Sequence, residues 1–246
     1  MALVIKRLTY LICCSFLFHY SAFAEIKVSS AKYQFGSIEY LIEQQIGALV
    51  LPQIYHNLGI EINITPLPAN RAQQLARLGR TDGEIMRIWT YGVQNPSLIR
   101  VPTPYYTLET MPFVLKRSNI TIAKKLDLKN YRVAVVRGVK HTENITEGLR
   151  GVYLVSSTKR MFELLLLGKV DVALTNTMDG LSTIKAMSTT DIMPMEKPLA
   201  ELDLYHYIHQ KHEKLVPRLD QEIQQMVLTG ELQQLILNAE DKILRQ

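Results

Sequence analysis

DGEIMRIWTYGVQNPSLIRVPTPYYTLETMPFVLKR, residues 82–117, holds two strand patterns around a turn-rich passage. Gly83–Ile88 is the first, with apolar Ile85 and Ile88 interrupted by Glu84 and Arg87. Tyr91–Pro96 follows as turns, then Pro-Thr-Pro-Tyr-Tyr at Pro102–Tyr106, then a second strand at Glu109–Lys116. The polar and aromatic residues Glu84, Arg87, Trp89, Tyr91, Tyr105 and Tyr106 therefore gather near strand ends. In open α/β sheets that is where ligands bind. The bland alternative, a buried strand, a surface turn and another strand, fits the same residues.

Upstream, Glu25–Lys32 alternates as a first strand and Tyr33–Gly36 reads as a loop. From Ile38 to Ile54, apolar residues at three- and four-residue steps form one helical stripe, which Pro52 is expected to kink or split. Ile60–Pro66 alternates again. Asn70 followed by Gln73 is a capping-box signal for a short helix, Arg71–Leu78, stopped by Gly79. Strand, helix, strand, helix, strand is the pattern of a largely parallel, helix-covered sheet.

Downstream the alternation restarts. Tyr131–Arg137 is a run of β-formers leading into a glycine turn, Gly138, with a helix start at Thr142. Such a start offers free backbone donors to an anion. A strand (Gly151–Val155), a helix (Thr158–Leu167) and a strand (Val170–Thr175) follow. Leu78-Gly79-Arg80-Thr81-Asp82-Gly83 and Leu167-Gly168-Lys169-Val170-Asp171-Val172 are the same phrase: helix end, Gly, base, any residue, Asp, strand. Two similar α/β lobes explain this echo better than one large sheet. After Pro194 and Pro198, Leu204–Gln210 reads as a strand. Two helices, Leu215–Leu228 and Glu231–Leu244, are broken at Gly230 and are expected to return to the first lobe.

The first twenty-four residues read as a secretory leader. Lys6 and Arg7 precede an apolar run, Leu8–Phe18, and Ala22-Phe23-Ala24 supplies a cleavage site before Glu25. The run is far short of the ~20 residues that span a bilayer. Both cysteines, Cys13 and Cys14, lie in this leader, so the mature chain is expected to have no disulfide and no thiol chemistry. Removing Lys6 and Arg7 lowers the formal charge of +5 by two. That leaves a mild excess, with signs interspersed and no basic run that would suggest nucleic acid. His206, His209 and His212 look like a metal cluster, but strand spacing sends His206 and His209 to opposite faces, and no metal site or cofactor is assigned.

In this order, several phrases make the chain resemble the family 3 extracellular solute-binding proteins. They are Leu78–Gly83 and Leu167–Val172; Val101–Tyr106, similar to the family's Phe-Ser-x-Pro-Tyr-Tyr; Leu126-Asp127-Leu128-Lys129 before Val133–Gly138; and Leu215–Leu235. The resemblance implies the type II periplasmic-binding-protein fold: two α/β lobes joined by two hinge strands. Lobe 1 would comprise 25–109 and 209–246 and lobe 2 would comprise 116–201, with crossings at 110–115 and 202–208. It also implies a periplasmic monomer that captures a small molecule in the cleft for an ABC-transporter permease or a membrane sensor.

The family's amino-acid signature is broken here. No arginine lies in Tyr91–Ser97, and Asn176 stands where the family carries an acid for the α-ammonium. The residues assigned to the ligand are Tyr33, Glu84, Arg87, Trp89, Tyr105, Arg137, Lys140, Thr142 and Asn176. An anionic or amino-acid-like ligand is expected, its anionic group held by Arg87 and the Arg137–Thr142 turn. The alternative is a lyase on the same fold, resembling cyclohexadienyl dehydratases, with Glu84, Glu109, Glu143 and His141 as proton-transfer candidates.

Overall fold

In a computed structural model, the structure describes residues 33–245; the expected leader and the expected strand Glu25–Lys32 lie outside them. The first half runs β1 (Tyr33–Ile38), α1 (Ile42–Asn57), β2 (Ile62–Leu67), α2 (Ala69–Arg77) and β3 (Gly83–Ile88). A short α3 (Tyr91–Gln94) and β4 (Leu98–Arg100) precede the long β5 (Tyr106–Leu115). The second half is β6 (Val133–Val136), α4 (Lys140–Thr146), β7 (Val152–Val155), α5 (Thr158–Leu166), β8 (Val172–Asn176), α6 (Thr177–Ala186) and β9 (Ile192–Pro194). β10 (Ala200–His209) carries the chain back, and α7 (Val216–Thr229) and α8 (Glu231–Arg245) finish it.

The strands order as β2-β1-β3-β10-β5-β8-β6-β7, with β4 on β10 and β9 on β5. β1, β2 and β3 are mutually parallel, as are β6, β7 and β8. β5 and β10, antiparallel to each other, join the two groups. β5 is long because it is half one core and half the other, whereas β10 contributes mainly to the first core. Leu204 and Ile208 of β10 and Tyr106 and Leu108 of β5 lie in the first core, with Phe35, Ile46, Ile54 and Ile223. Met111 and Phe113 lie in the second, with Phe162 and Leu165. Neighbouring Val114 faces the other side, with Val133, Val135 and Leu174. The strict alternation of a strand sends consecutive side chains to opposite faces, so helices cover both sides of the second half's sheet.

Two glycines set close approaches. Gly83 has φ +151, and a Cβ there would lie 2.0 Å from the Tyr207 carbonyl oxygen. β10 shifts register against β3 at this point, between Tyr205 and Tyr207. In α6, a Cβ on Gly180 would lie 2.0 Å from the Phe113 ring; the missing side chain lets the helix lie on the crossing strand.

Three local readings differ. Tyr33–Gly36 belongs to a central strand, buried from Phe35 to Ser37, and is not a loop. Its sequence, YQFGSI, hides the alternation because Gly36 and Ser37 are buried without being apolar. Pro52 does not split α1, which is one helix of 16 residues. The lost hydrogen bond is offset by burial on both sides of it, at Ile46, Val50, Leu51, Ile54 and Tyr55. The start of α2 differs too: the helix begins directly behind Pro68, with no side-chain cap from Asn70.

Candidate ligand site between the two halves

The pairing registers place a gap in the molecule. β3 and β5 are each antiparallel to β10, and β8 is antiparallel to β5, so the carboxyl ends of β3 and β8 point toward each other. Ile88, at the end of β3, is level with Leu204, which is level with Tyr106. Asn176, at the end of β8, is level with Thr110. Four residues of β5 separate the two levels, about 14 Å at ~3.4 Å per residue. Tyr106–Glu109 is the floor of this gap. On its α8 side lies a cavity of about 760 Å³, within the ordinary range for small-molecule sites. Glu43 of α1 and Tyr105 line it from the first half, Asn176, Thr177 and Met178 from the second, and α8 forms a wall with Leu232, Ile236 and Glu240.

Of the residues assigned from sequence, Tyr105 and Asn176 line this cavity. Both also have structural duties. Tyr105 is buried and its hydroxyl donates to the Ile85 carbonyl at 2.8 Å. Asn176 caps α6, its Oδ1 accepting from the Asp179 amide at 2.7 Å. Trp89 follows β3 on the first bank, 55% exposed, with the Arg100 guanidinium 3.1 Å from its ring centre. Tyr33 begins β1, at the end of the strand remote from the gap, and packs edge-on against His212 at 4.9 Å. Lys140 opens α4; its side chain is outside what the structure describes.

Three parts of the expected anion clamp, Arg87, the Gly138 amide and Thr142, are already engaged within the protein. Arg87 forms an ion pair with Glu84, which is 1% exposed and also accepts from the Tyr91 hydroxyl. Burial raises the Glu84 carboxyl, while the Arg87 charge and these hydrogen bonds pull it back. Removing Arg87 from that carboxylate would leave a buried charge unpaired, so Arg87 is not a free cation facing the gap. Opposite, the Gly138 amide donates to Glu143 at 2.7 Å, and Thr142, buried, donates its hydroxyl to the Val139 carbonyl at 2.9 Å. Arg137 is exposed. The partners are near in sequence: Glu84 lies three residues before Arg87 on the same strand, where the register against β10 is irregular, and Glu143 lies in the first turn of the helix that follows Gly138.

Among the proton-transfer candidates, Glu109 alone lines the cavity, its Oε2 accepting from the Thr177 hydroxyl at 2.8 Å. His141 Nδ1 lies 2.8 Å from the Thr110 hydroxyl, and burial lowers it to about 4, against the opposing charge of Asp179. Glu84 and Glu143 are held as described.

Sequence reasoning missed Glu43, Glu240 and Tyr106 as a set. Tyr106 donates to Glu240 at 3.0 Å. Burial raises Glu43, with a smaller contribution from Asp179, and burial raises Glu240, with a contribution from Glu109. Asp241, also in the lining, pairs with Arg245 at 2.7 Å. No Lys, Arg or His is among the described lining residues. An amphipathic helix with acids at 240 and 241 reads in sequence as a solvated face; only the packing of α8 against α1, α6 and α7 reveals that Glu240 turns toward Tyr106 of β5.

Comparison with solved structures then decides the architecture. An ancestral cationic amino acid solute binding protein superposes with TM-score 0.65 at 16% identity, over 84% of this chain and 94% of that one. The chain has the type II periplasmic-binding-protein fold. A histidine kinase sensor domain with similarity to periplasmic binding proteins matches with TM-score 0.60 and 18% identity, over 83% and 93%. An amino acid ABC transporter substrate-binding protein from Streptococcus pneumoniae, bound to L-arginine, gives 0.57 and 17%, over 82% and 85%. In sequence, an uncharacterized protein of Shewanella oneidensis is 26% identical over 192 residues, 74% of this chain and 71% of that protein. No protein-family model matches the sequence. The lobed α/β architecture expected from the two echoed phrases is the architecture of these neighbours.

Proposed function

We propose that this protein is a periplasmic solute-binding protein that captures a small organic molecule between its halves and presents it to a membrane permease or sensor. One observation carries the reading: a cavity floored by the crossing strand β5 is lined by Glu43 and Tyr105 from one half and by Asn176, at the end of β8, Thr177 and Met178 from the other. A ligand there touches both halves at once and so favours the arrangement that brings them together. Structural neighbours named as a transporter substrate-binding protein and as a sensor domain support both kinds of partner. The leader-like residues 1–24 support export.

A thermal-shift screen of amino acids, amines, dicarboxylates and aromatic acids tests the reading. A ligand at a hundred times its Kd is expected to stabilise by ~2.7 kcal/mol. No shift with any class would overturn it. Export is tested by the intact mass of the periplasmic fraction, which is expected to show a chain beginning at Glu25.

A further inference from the structure

We infer that the ligand is an aliphatic amine without a carboxylate, a mono- or diamine, whose ammonium group is received by Glu43 and Glu240. The inference rests on the solute-binding reading and follows from the charges around the gap. Several groups there that could receive a carboxylate are already matched by acids of the protein, while Arg100, over the Trp89 ring, and the exposed Arg137 are not among the cavity's lining residues. Arg87 is held by Glu84, and the Gly138 amide by Glu143. The amino end of α6 has Asp179 in its first turn, with the Asp179 amide bound by Asn176. The amino end of α1 has Glu43 in its first turn.

Among the described lining residues, what remains without a basic partner is negative. Among the described residues, Glu240 accepts from the Tyr106 hydroxyl and Glu109 from that of Thr177. Glu43 draws on its own backbone amide. Asp241, paired with Arg245, is not counted. A carboxylate entering would meet these acids with no cation among the described lining residues to offset them, a repulsion strengthened by the low effective dielectric of a cavity. An ammonium supplies the missing charge, and an alkyl stem suits the apolar walls of Leu108, Met178, Leu232 and Ile236. Burial already raises Glu43 and Glu240, the direction that a neighbouring cation reverses.

Calorimetric titration of the full mature chain with matched pairs tests this: cadaverine against lysine, putrescine against ornithine, agmatine against arginine. Each pair differs by one carboxylate. At least one amine is expected to bind at least tenfold more tightly than its parent amino acid. Glu43→Gln and Glu240→Gln, both able to keep a hydrogen-bonding side chain in place, are expected to weaken that amine at least tenfold each. Glu163→Gln, on an exposed pair with Arg160, is expected to bind it unchanged, and melting curves report that all three variants fold. A parent amino acid that binds as well as its amine would overturn the proposal, as would unchanged affinity in both Gln variants. Exclusive binding of dicarboxylates or neutral compounds would also overturn it while leaving the solute-binding reading intact. Failure of every class in the wider screen strikes the solute-binding reading itself.

Discussion

The two halves open their third strands with the same clasp and secure it differently. In the first, the Asp82 carboxylate accepts from the Gln34 amide at 2.7 Å, while the Asp82 amide donates to the Gln34 carbonyl at 2.6 Å. In the second, Asp171 accepts from the Arg132 amide and donates back to its carbonyl, both at 2.8 Å. The echoed Leu-Gly-base-x-Asp phrase thus ties the start of one strand to the start of its neighbour. It is a structural staple, which is why it recurs where each parallel sheet is entered. The second Asp is finished by Arg132's own side chain, exposed to solvent. The first is finished by Lys211 at 2.8 Å and His212 at 2.6 Å, from the segment that follows β10. Only the first half must hold a returning chain, and its clasp reaches across to do so.

The cores differ in the same sense. The second is apolar, with Phe113, Phe162, Met161 and Leu165 among its buried members. The first encloses a polar set: Glu84 with Arg87, and His206 between Tyr55 and the Glu84 carbonyl. Arg87→Ala is expected to have the largest effect on stability, roughly 3–5 kcal/mol, because it strands a buried carboxylate. Urea denaturation measures it, and a loss below about 1 kcal/mol would show that Glu84 is relieved by solvent or by protonation. Ligand affinity should change little once the variant is folded.

Next in size is a pH effect. The Glu84 carbonyl can only accept, so His206 Nδ1 carries the proton and Nε2 accepts from the Tyr55 hydroxyl at 2.8 Å. Burial lowers His206 to about 4. The folded state therefore binds fewer protons than the unfolded one between the ordinary value of about 6.5 and the folded value of about 4. The stability it contributes is present above about pH 6.5 and is lost as pH falls toward about 4, on the order of 3 kcal/mol. His141, also lowered to about 4, acts in the same direction from the seam. Comparing urea midpoints at about pH 7 and about pH 4.5, His206→Gln should flatten the dependence, and an unaltered slope would contradict the assignment.

The clasps give the smallest difference. Asp82→Ala should cost roughly 1–2 kcal/mol, the loss of three partners to a partly shielded carboxylate. Asp171→Ala, more exposed, should cost clearly less. Equal losses, read by thermal melts side by side, would mean that the contacts to Lys211 and His212 add nothing.

Much of the fold was legible because it rests on period and punctuation. Gly83–Ile88 is a strand with the bounds read from its sequence, and Gly230 separates the last two helices through its left-handed φ of 79. α6 was not legible: Thr177–Ala186 mixes polar and apolar residues without a clean stripe, and its cap, Asn176, drew attention as a ligand group instead. The site was legible only in part. Charges such as Arg87 and Glu143 look available in a sequence, whereas the partners they find three to five residues away, one within a strand and one across a turn, are settled only by the folded backbone. Glu240 stands far along the chain from the floor it faces, and no local pattern announces that meeting.

Hydrogen exchange with and without saturating ligand tests the central claim, that one molecule occupies the gap and contacts both halves. Cadaverine is the first probe, followed by any stronger compound from the thermal-shift screen. The account predicts simultaneous protection of the Tyr106–Glu109 floor, the Asn176–Met178 helix start and the cavity-facing turns of α8. Protection confined to one half, or confined to segments away from the floor, would contradict it.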